Sequence, residues 1–536
     1  MKKQLEIGLN FCFRFFHFIN SYELKNGDIN NGDAPMRRSI KSGIDSTTGF
    51  GLYAFSHDDL ESIHDATLQI LQDTGIKVMS EAALEIFHGG GASVERFNGY
   101  GIVKIPPYLV EECAFWAPRT VVYDARNPND DYVSEPNRVG FTTFGGCINI
   151  IDPVTRKIRL ATKTDCGDIA RVCDYLNEIC VVERSVNSLD MPDDTQSVHN
   201  LEAMLTNTGK HIFLGADSVR SLICMIEVAS ICVGGNDNFQ KRPIFTVNVS
   251  PFSPLCLPEN ECELIMEAAK SRVGILILPM GLSGGTSPPT LAGVLVTHNA
   301  EVLSSIVLAQ LTKKGAPCTY GSTSTILDLR FGTASIGSPE YGMINASVAK
   351  LARYYRLPCF VGGGASDSKK PDIQSGYEFT LSAVLSALAG GNIIFGSGVL
   401  EQGLTFDLAK LIMDAEMMRM IQVAIQGIFI TDEALAVEVI HEVGSSGTYI
   451  THDTSLKNMR NQSWANLFDR RNRKDWVEWT CGKTIQERAY EAAMDILQNH
   501  KPLPLPDNAA MEMKEVVEAF EAKERMDKTN GKIEHS

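Results

Sequence analysis

At 536 residues, 44% of them apolar, the chain is long enough for one large domain with additions and has an ordinary globular composition. A formal net charge of -16 argues against a nucleic acid partner, whose phosphate backbone is held by clustered Lys and Arg, and leaves cationic ligands open. Thirteen cysteines are scattered through apolar segments with no C-x-x-C pair, as in a reducing cytoplasm, and Cys256 and Cys262 have no His nearby, so no structural metal is expected.

Residues 1–50 open with two lysines and an aromatic-rich run over 9–19. Arg14, His17 and the lack of a small-residue cleavage site speak against a signal peptide, leaving a disordered leader or translation begun upstream of Met36. No segment reaches the roughly 18–20 uninterrupted apolar residues of a membrane span. Residues 51–138 read as an N-terminal subdomain: Ser56 and Asp59 form a cap ahead of Leu60, Ile63, Leu68 and Leu71 at helical spacing, and strand-like pieces follow at 101–106 and 120–124.

Over 139–404 short β-branched and aromatic runs, each ending in small or polar residues, alternate with helical stretches. The runs are 139–144, 180–187, 211–215, 243–249, 274–280, 317–322, 358–363 and 392–397. Eight strand-then-helix units predict a closed TIM (β/α)8 barrel of the α/β class, and no G-x-G-x-x-G follows the first strand, against a dinucleotide fold. Residues 405–505 read as C-terminal helices packing on the barrel, with one long amphipathic helix from Lys410 to Ile430. Residues 506–536 are a charged tail, expected as a solvated helix or disordered.

The chemistry of such a barrel belongs at the carboxyl ends of its strands. Those ends are rich in glycine and hydroxyl residues and poor in groups that act as base or nucleophile. Gly145, Gly284, Gly285 and Gly363 would let a large cofactor face approach, or simply permit tight turns. Glu401, past the eighth strand, would face a bound cation as the catalytic carboxylate, or interact with a helix dipole. Phe144, Phe252, Tyr320, Phe331 and Tyr377 would build a cation–π cage, or serve as core. Ser322, Thr323, Gly364 and Ser366, with Asp367 beside them, are substrate-binding candidates. His199, His211 and His298 read as core or surface histidines, and Lys369 and Lys370 as a solvated loop.

The segments 329–357, 358–367, 398–405, 413–417 and 452–460, with Phe468 to Arg471 and Trp476, resemble the trimethylamine methyltransferase family. That resemblance implies a methyltransferase that demethylates a methylamine and methylates the cobalt of a cognate corrinoid protein, as in the methylamine metabolism of methanogenesis. The cobalamin is then carried by the partner, with no cofactor bound permanently here. The nearest string to a cobalt-ligating D-x-H-x-x-G is His441-Glu-Val-Gly, with Val439 where Asp should stand. Trimethylamine-specific members carry pyrrolysine, expected near residues 326–340, and this chain has only the standard residues. It therefore resembles the branch that uses glycine betaine and related betaines. The expected partners are the betaine, or alternatively trimethylamine or another methylamine, the corrinoid protein and further copies of the chain in a homo-oligomer, with no membrane. The rival readings are a non-catalytic barrel that binds quaternary amines, and a metal- or phosphate-dependent lyase or isomerase.

Overall fold

A computed structural model of the chain describes residues 44–45 and 51–534. The leader or upstream start expected over residues 1–50 falls outside them except at Ile44–Asp45.

Eight parallel strands form the centre of the molecule: β1 (Arg138–Thr143), β2 (Val182–Glu183), β3 (Ile212–Gly215), β4 (Phe245–Val249), β5 (Gly274–Ile277), β6 (Cys318–Ser322), β7 (Cys359–Gly362) and β8 (Ile393–Ser397). From β2 onward each pairs with the next, β8 pairs with β1, and the isolated bridges Phe141–Ile179 and Cys147–Val186, on either side of β2, bring its segment beside β1 and nearly close the ring. The eight strands fall on the eight apolar runs of the sequence. They are buried on both faces, all six residues of β1 among them, which is why the runs show no polar alternation. The second is shorter than its run. Beyond Glu183 the backbone turns to the loop after β1, Arg184 accepting from the Gly146 N–H and Ser185 from the Cys147 N–H, so the ladder stops there.

Helices α1 (Lys163–Tyr175), α2 (Gln196–Asn207), α3 (Val219–Cys232), α4 (Glu259–Ser271), α5 (Leu291–Thr312), α6 (Pro339–Tyr354), α7 (Ile373–Ala389) and α8 (Leu408–Gln426) follow the strands in turn. α5 is long and apolar enough to cross a membrane by length and hydropathy, but its His298, Asn299 and Glu301 are buried against the rest of the fold. Inside the barrel Phe360 stacks on Phe395 at 4.9 Å and meets Phe213 at 5.3 Å. A hairpin of Val121–Tyr123 and Tyr132–Ser134 adds Tyr123 and Tyr132 to this aromatic filling, the Tyr123 hydroxyl lying 2.7 Å from Thr319 Oγ1.

The helix His57–Gln69 begins with the cap legible in the sequence, Ser56 Oγ accepting from the Asp59 N–H while Asp59 accepts from the Ser56 N–H. A four-stranded sheet follows it and draws in Cys256–Leu257 from the loop after β4. α8 ends at Gln426, short of the expected Ile430, because Gly427 at φ 71° ends the helix. The charged tail is one helix, Ala509–Glu534, and it is not merely solvated. Met513 and Val517, four apart, are buried, and Arg220–Glu524 (2.9 Å) and Lys528–Asp194 (3.0 Å) pair across the contact with α2 and α3.

Candidate active site

The strand ends bring five residues together next to the aromatic filling. Glu183, the last ladder residue of β2, accepts a hydrogen bond at 2.9 Å from the Asn248 Nδ2 of β4. β3 lies between those strands and ends there in Gly215, whose missing side chain leaves open space, with no atom nearer than 3.9 Å to a Cβ position. Gly145, after β1, abuts the carboxyl: a Cβ there would stand 2.6 Å from Glu183 Oε1. Phe144 is half-buried beside it, 6.0 Å from Phe395 and against the turn at Gly403.

Glu183 is 3% exposed, and its Oε2 has no partner among the described residues, nor has the Asn248 Oδ1. Burial pushes the Glu183 carboxyl up to about 8, against the opposing pull of the Arg184 charge and the Asn248 hydrogen bond. A buried carboxyl with one unsatisfied oxygen, in the layer where barrel enzymes hold their substrates, has the vacancy to receive a cation and gains the complementary charge when it ionises. Arg184 is half-buried next to it. One guanidinium nitrogen lies 3.5 Å from the Cβ position of Gly146, and its Nε has no partner among the described residues.

Most of the groups singled out from the sequence have other tasks here. Tyr320 points out of the barrel, donating to Asn299 of α5 at 2.7 Å. Phe252 and Phe331 are exposed on the separate loops after β4 and β6 and Tyr377 lies on the surface of α7, and no ring contact joins any two of the five aromatics among the described residues. Ser322 Oγ accepts from the Ser324 N–H, Thr323 Oγ1 donates to Pro279 O, the Gly364 N–H donates to Ser382, and Ser366 Oγ donates to Glu378. Asp367 pins the loop after β6, accepting from Ser335 Oγ and from the Ile336 N–H at 2.9 Å. Gly363 gives close packing of β7 on α7 and on Ile394, and Gly284 and Gly285 turn the loop after β5 against Leu327 and Leu329.

Glu401 sits at the rim with φ 54°; its N–H donates to Ser368 O and its carboxylate accepts from Thr405 Oγ1. The turn it opens reaches Phe144 through Gly403, so it borders the Glu183 group without forming its floor. His211 and His298 are core residues bonded to Thr246 and Gly321 O, and His199 bonds Glu521 of the C-terminal helix. Glu183 escaped sequence reasoning because it lies inside a predicted strand rather than after one. The available signal was a Glu at an inward position directly after the apolar residues Cys180, Val181 and Val182.

A cavity of about 350 Å3 opens at the other end of the barrel, lined by Tyr123, His211, Thr246 and Lys314. It lies where strands begin, and its histidine is held neutral, pushed by burial down to about 3, so the carboxyl end remains the place for chemistry.

A nearly closed parallel barrel with its polar vacancies at the strand carboxyl ends defines a TIM-barrel enzyme. The family model described as trimethylamine methyltransferase (MTTB) matches residues 38–525, and the chain belongs to that family of methyltransferases. It is 46% identical to the trimethylamine methyltransferase MttB of Desulfitobacterium hafniense over 91% of this chain and 98% of that one. Identity to MttB1 of Methanosarcina mazei is 38%, over 89% and 97%. The glycine betaine methyltransferase of Desulfitobacterium hafniense is 30% identical over 83% and 92%. The solved monomethylamine methyltransferase of Methanosarcina barkeri aligns with TM-score 0.46 at 12% identity, covering 87% of this chain and 97% of that one.

Proposed function

We propose that the chain transfers a methyl group from a small quaternary amine, with glycine betaine or a related betaine preferred over trimethylamine, to the cobalt of a corrinoid held by a separate protein in the cytoplasm. The observation that carries this reading is the unsatisfied Glu183 oxygen in the barrel mouth. An amine already bearing four carbons needs no proton to leave once a methyl is removed, so the chain supplies charge complementarity, alignment and exclusion of water.

Glu183 receives the ammonium, Asn248 fixes the carboxyl, and Phe144 offers an aromatic face on the same side. The four groups that the sequence suggested for a betaine carboxylate are committed elsewhere, whereas Arg184, whose Nη2 lies beside Gly146 and whose Nε has no partner among the described residues, suits it as a charge-assisted donor. The open, glycine-lined rim at Gly145, Gly146 and Gly215 fits a broad, flat group lowered from outside. The reduced corrinoid, as second substrate, supplies the nucleophile for the methyl carbon.

The test is to mix the protein with reduced corrinoid and each of a panel of betaines and methylamines and to follow methyl-cobalt formation by absorbance. Methylation by a betaine but not by trimethylamine is expected. Methylation by trimethylamine alone would overturn the substrate assignment, and none from any amine would favour the non-catalytic reading.

A further inference from the structure

The segment between α8 and residue 464 has almost no core of its own. Its helices Asp432–Leu435, Val437–Val443 and Asp453–Asn458 bury no side chain. Ile428, Phe429, Ile430, Val437, Ile450 and Trp464 are between 65% and 80% exposed, and Met420 and Val423 on the last turns of α8 continue the apolar surface. Both ends are fixed, one by α8 and the other by Glu416, which accepts from the N–H groups of Asn466 and Leu467. An arm anchored at each end that shows this much apolar surface to water is half of an interface.

Its charges say what the other half is. Residues 428–443 hold Asp432, Glu433, Glu438 and Glu442 with no Lys or Arg, whereas residues 444–464 hold Lys457 and Arg460 against Asp453 alone. Among the described residues Asp432, Glu433 and Glu438 have no ion-pair partner, and neither have Lys457 and Arg460. A surface with an acidic half and a basic half complements itself under a two-fold rotation. A permanent apolar surface also needs a permanent cover, which a protein that docks to exchange a methyl group and leaves does not provide.

We infer that the arm over residues 428–464 pairs two copies of this chain about a two-fold axis, the acidic half of one against the basic half of the other. The inference rests on the arm, and draws on the reaction proposed above only to set aside the methyl-accepting protein as its cover. The experiment is light-scattering mass measurement of the full chain from micromolar to tens of micromolar. The expected mass is an even number of chains, halved by Phe429→Asp with Ile450→Asp.

Charge reversal supplies a second arm that leaves the apolar surface intact. Asp432→Lys, Glu433→Lys and Glu438→Lys in one chain, or Lys457→Glu and Arg460→Glu in another, each weaken pairing alone, and mixing the two chains restores it. A single-chain or three-chain mass for the unaltered protein overturns the inference. So does pairing that persists at the same mass in the Phe429→Asp, Ile450→Asp chain, or a mixture that pairs no better than its components.

Discussion

Replacing Glu183 with Gln keeps the hydrogen bond from Asn248 and the shape of the mouth but removes the charge. A charge-assisted contact is worth about 1.5–3 kcal/mol, so Glu183→Gln is expected to weaken quaternary-amine binding about 10- to 100-fold. Titration calorimetry checks it, and unchanged affinity would remove Glu183 from the site. Because burial holds the free carboxyl near 8, it is mostly protonated at neutral pH and must ionise to meet a cation. Binding therefore releases close to one proton and tightens about tenfold per pH unit until about 8, read as the dependence of binding heat on buffer ionisation. Gly145→Ala makes the same point by geometry: a methyl 2.6 Å from Glu183 Oε1 displaces the carboxyl. Loss of turnover is expected with an unchanged circular dichroism spectrum.

Among the elements, the helix after β8 carries the sharpest demand. Lys410 and Asp414 lie one turn apart on α8, both fully buried and 2.7 Å apart, and Asp414 also accepts from the Gly398 N–H in the loop that leads to Glu401. Lys410→Met strands a buried carboxylate at a cost of about 3–5 kcal/mol, and adding Asp414→Leu restores most of it. Urea unfolding of the two variants distinguishes this from an ordinary packing loss. The strands were legible because they are buried on both faces and so read as short runs rich in β-branched and aromatic residues without polar alternation. Much of the site was not, because the residues after the strands, Ser366 and Asp367 above all, turned out to fasten loops to one another. A pattern along one strand cannot show that Glu183 and Asn248 meet across Gly215, since neither is near the other in sequence. Likewise the two apolar residues that seat the final helix are outnumbered by charges in any compositional reading of residues 509–534.

For the whole molecule, buried titratable groups set a narrow stability optimum. Burial raises Glu183 to about 8, Glu301 to about 7 and Asp414 to about 6, so the stability these protonated carboxyls contribute is present in acid and is lost as pH rises through those values. Burial lowers His211 to about 3 and His298 to about 4, so their contribution is present above the ordinary histidine value of about 6.5 and is lost as pH falls below it. Above the ordinary carboxylate value of about 4.5 the three carboxyl losses outweigh the two histidine gains, so the melting temperature is expected to peak at about pH 4.5 and to decline on both sides. A saturating quaternary amine should flatten the alkaline side alone, since only Glu183 gains a counter-charge. Scanning calorimetry across pH with and without ligand checks both statements.

The aromatic filling of Phe213, Phe360 and Phe395 packs the barrel interior next to Glu183, whose register partner on β3 is Phe213. A site reached only from the strand ends would impose a queue on the reaction proposed above. In that reaction the amine would enter before the methyl acceptor covers the opening, and the demethylated amine would stay behind until the acceptor withdraws. The kinetics should accordingly be ordered, with the acceptor protein trapping bound amine rather than competing with it.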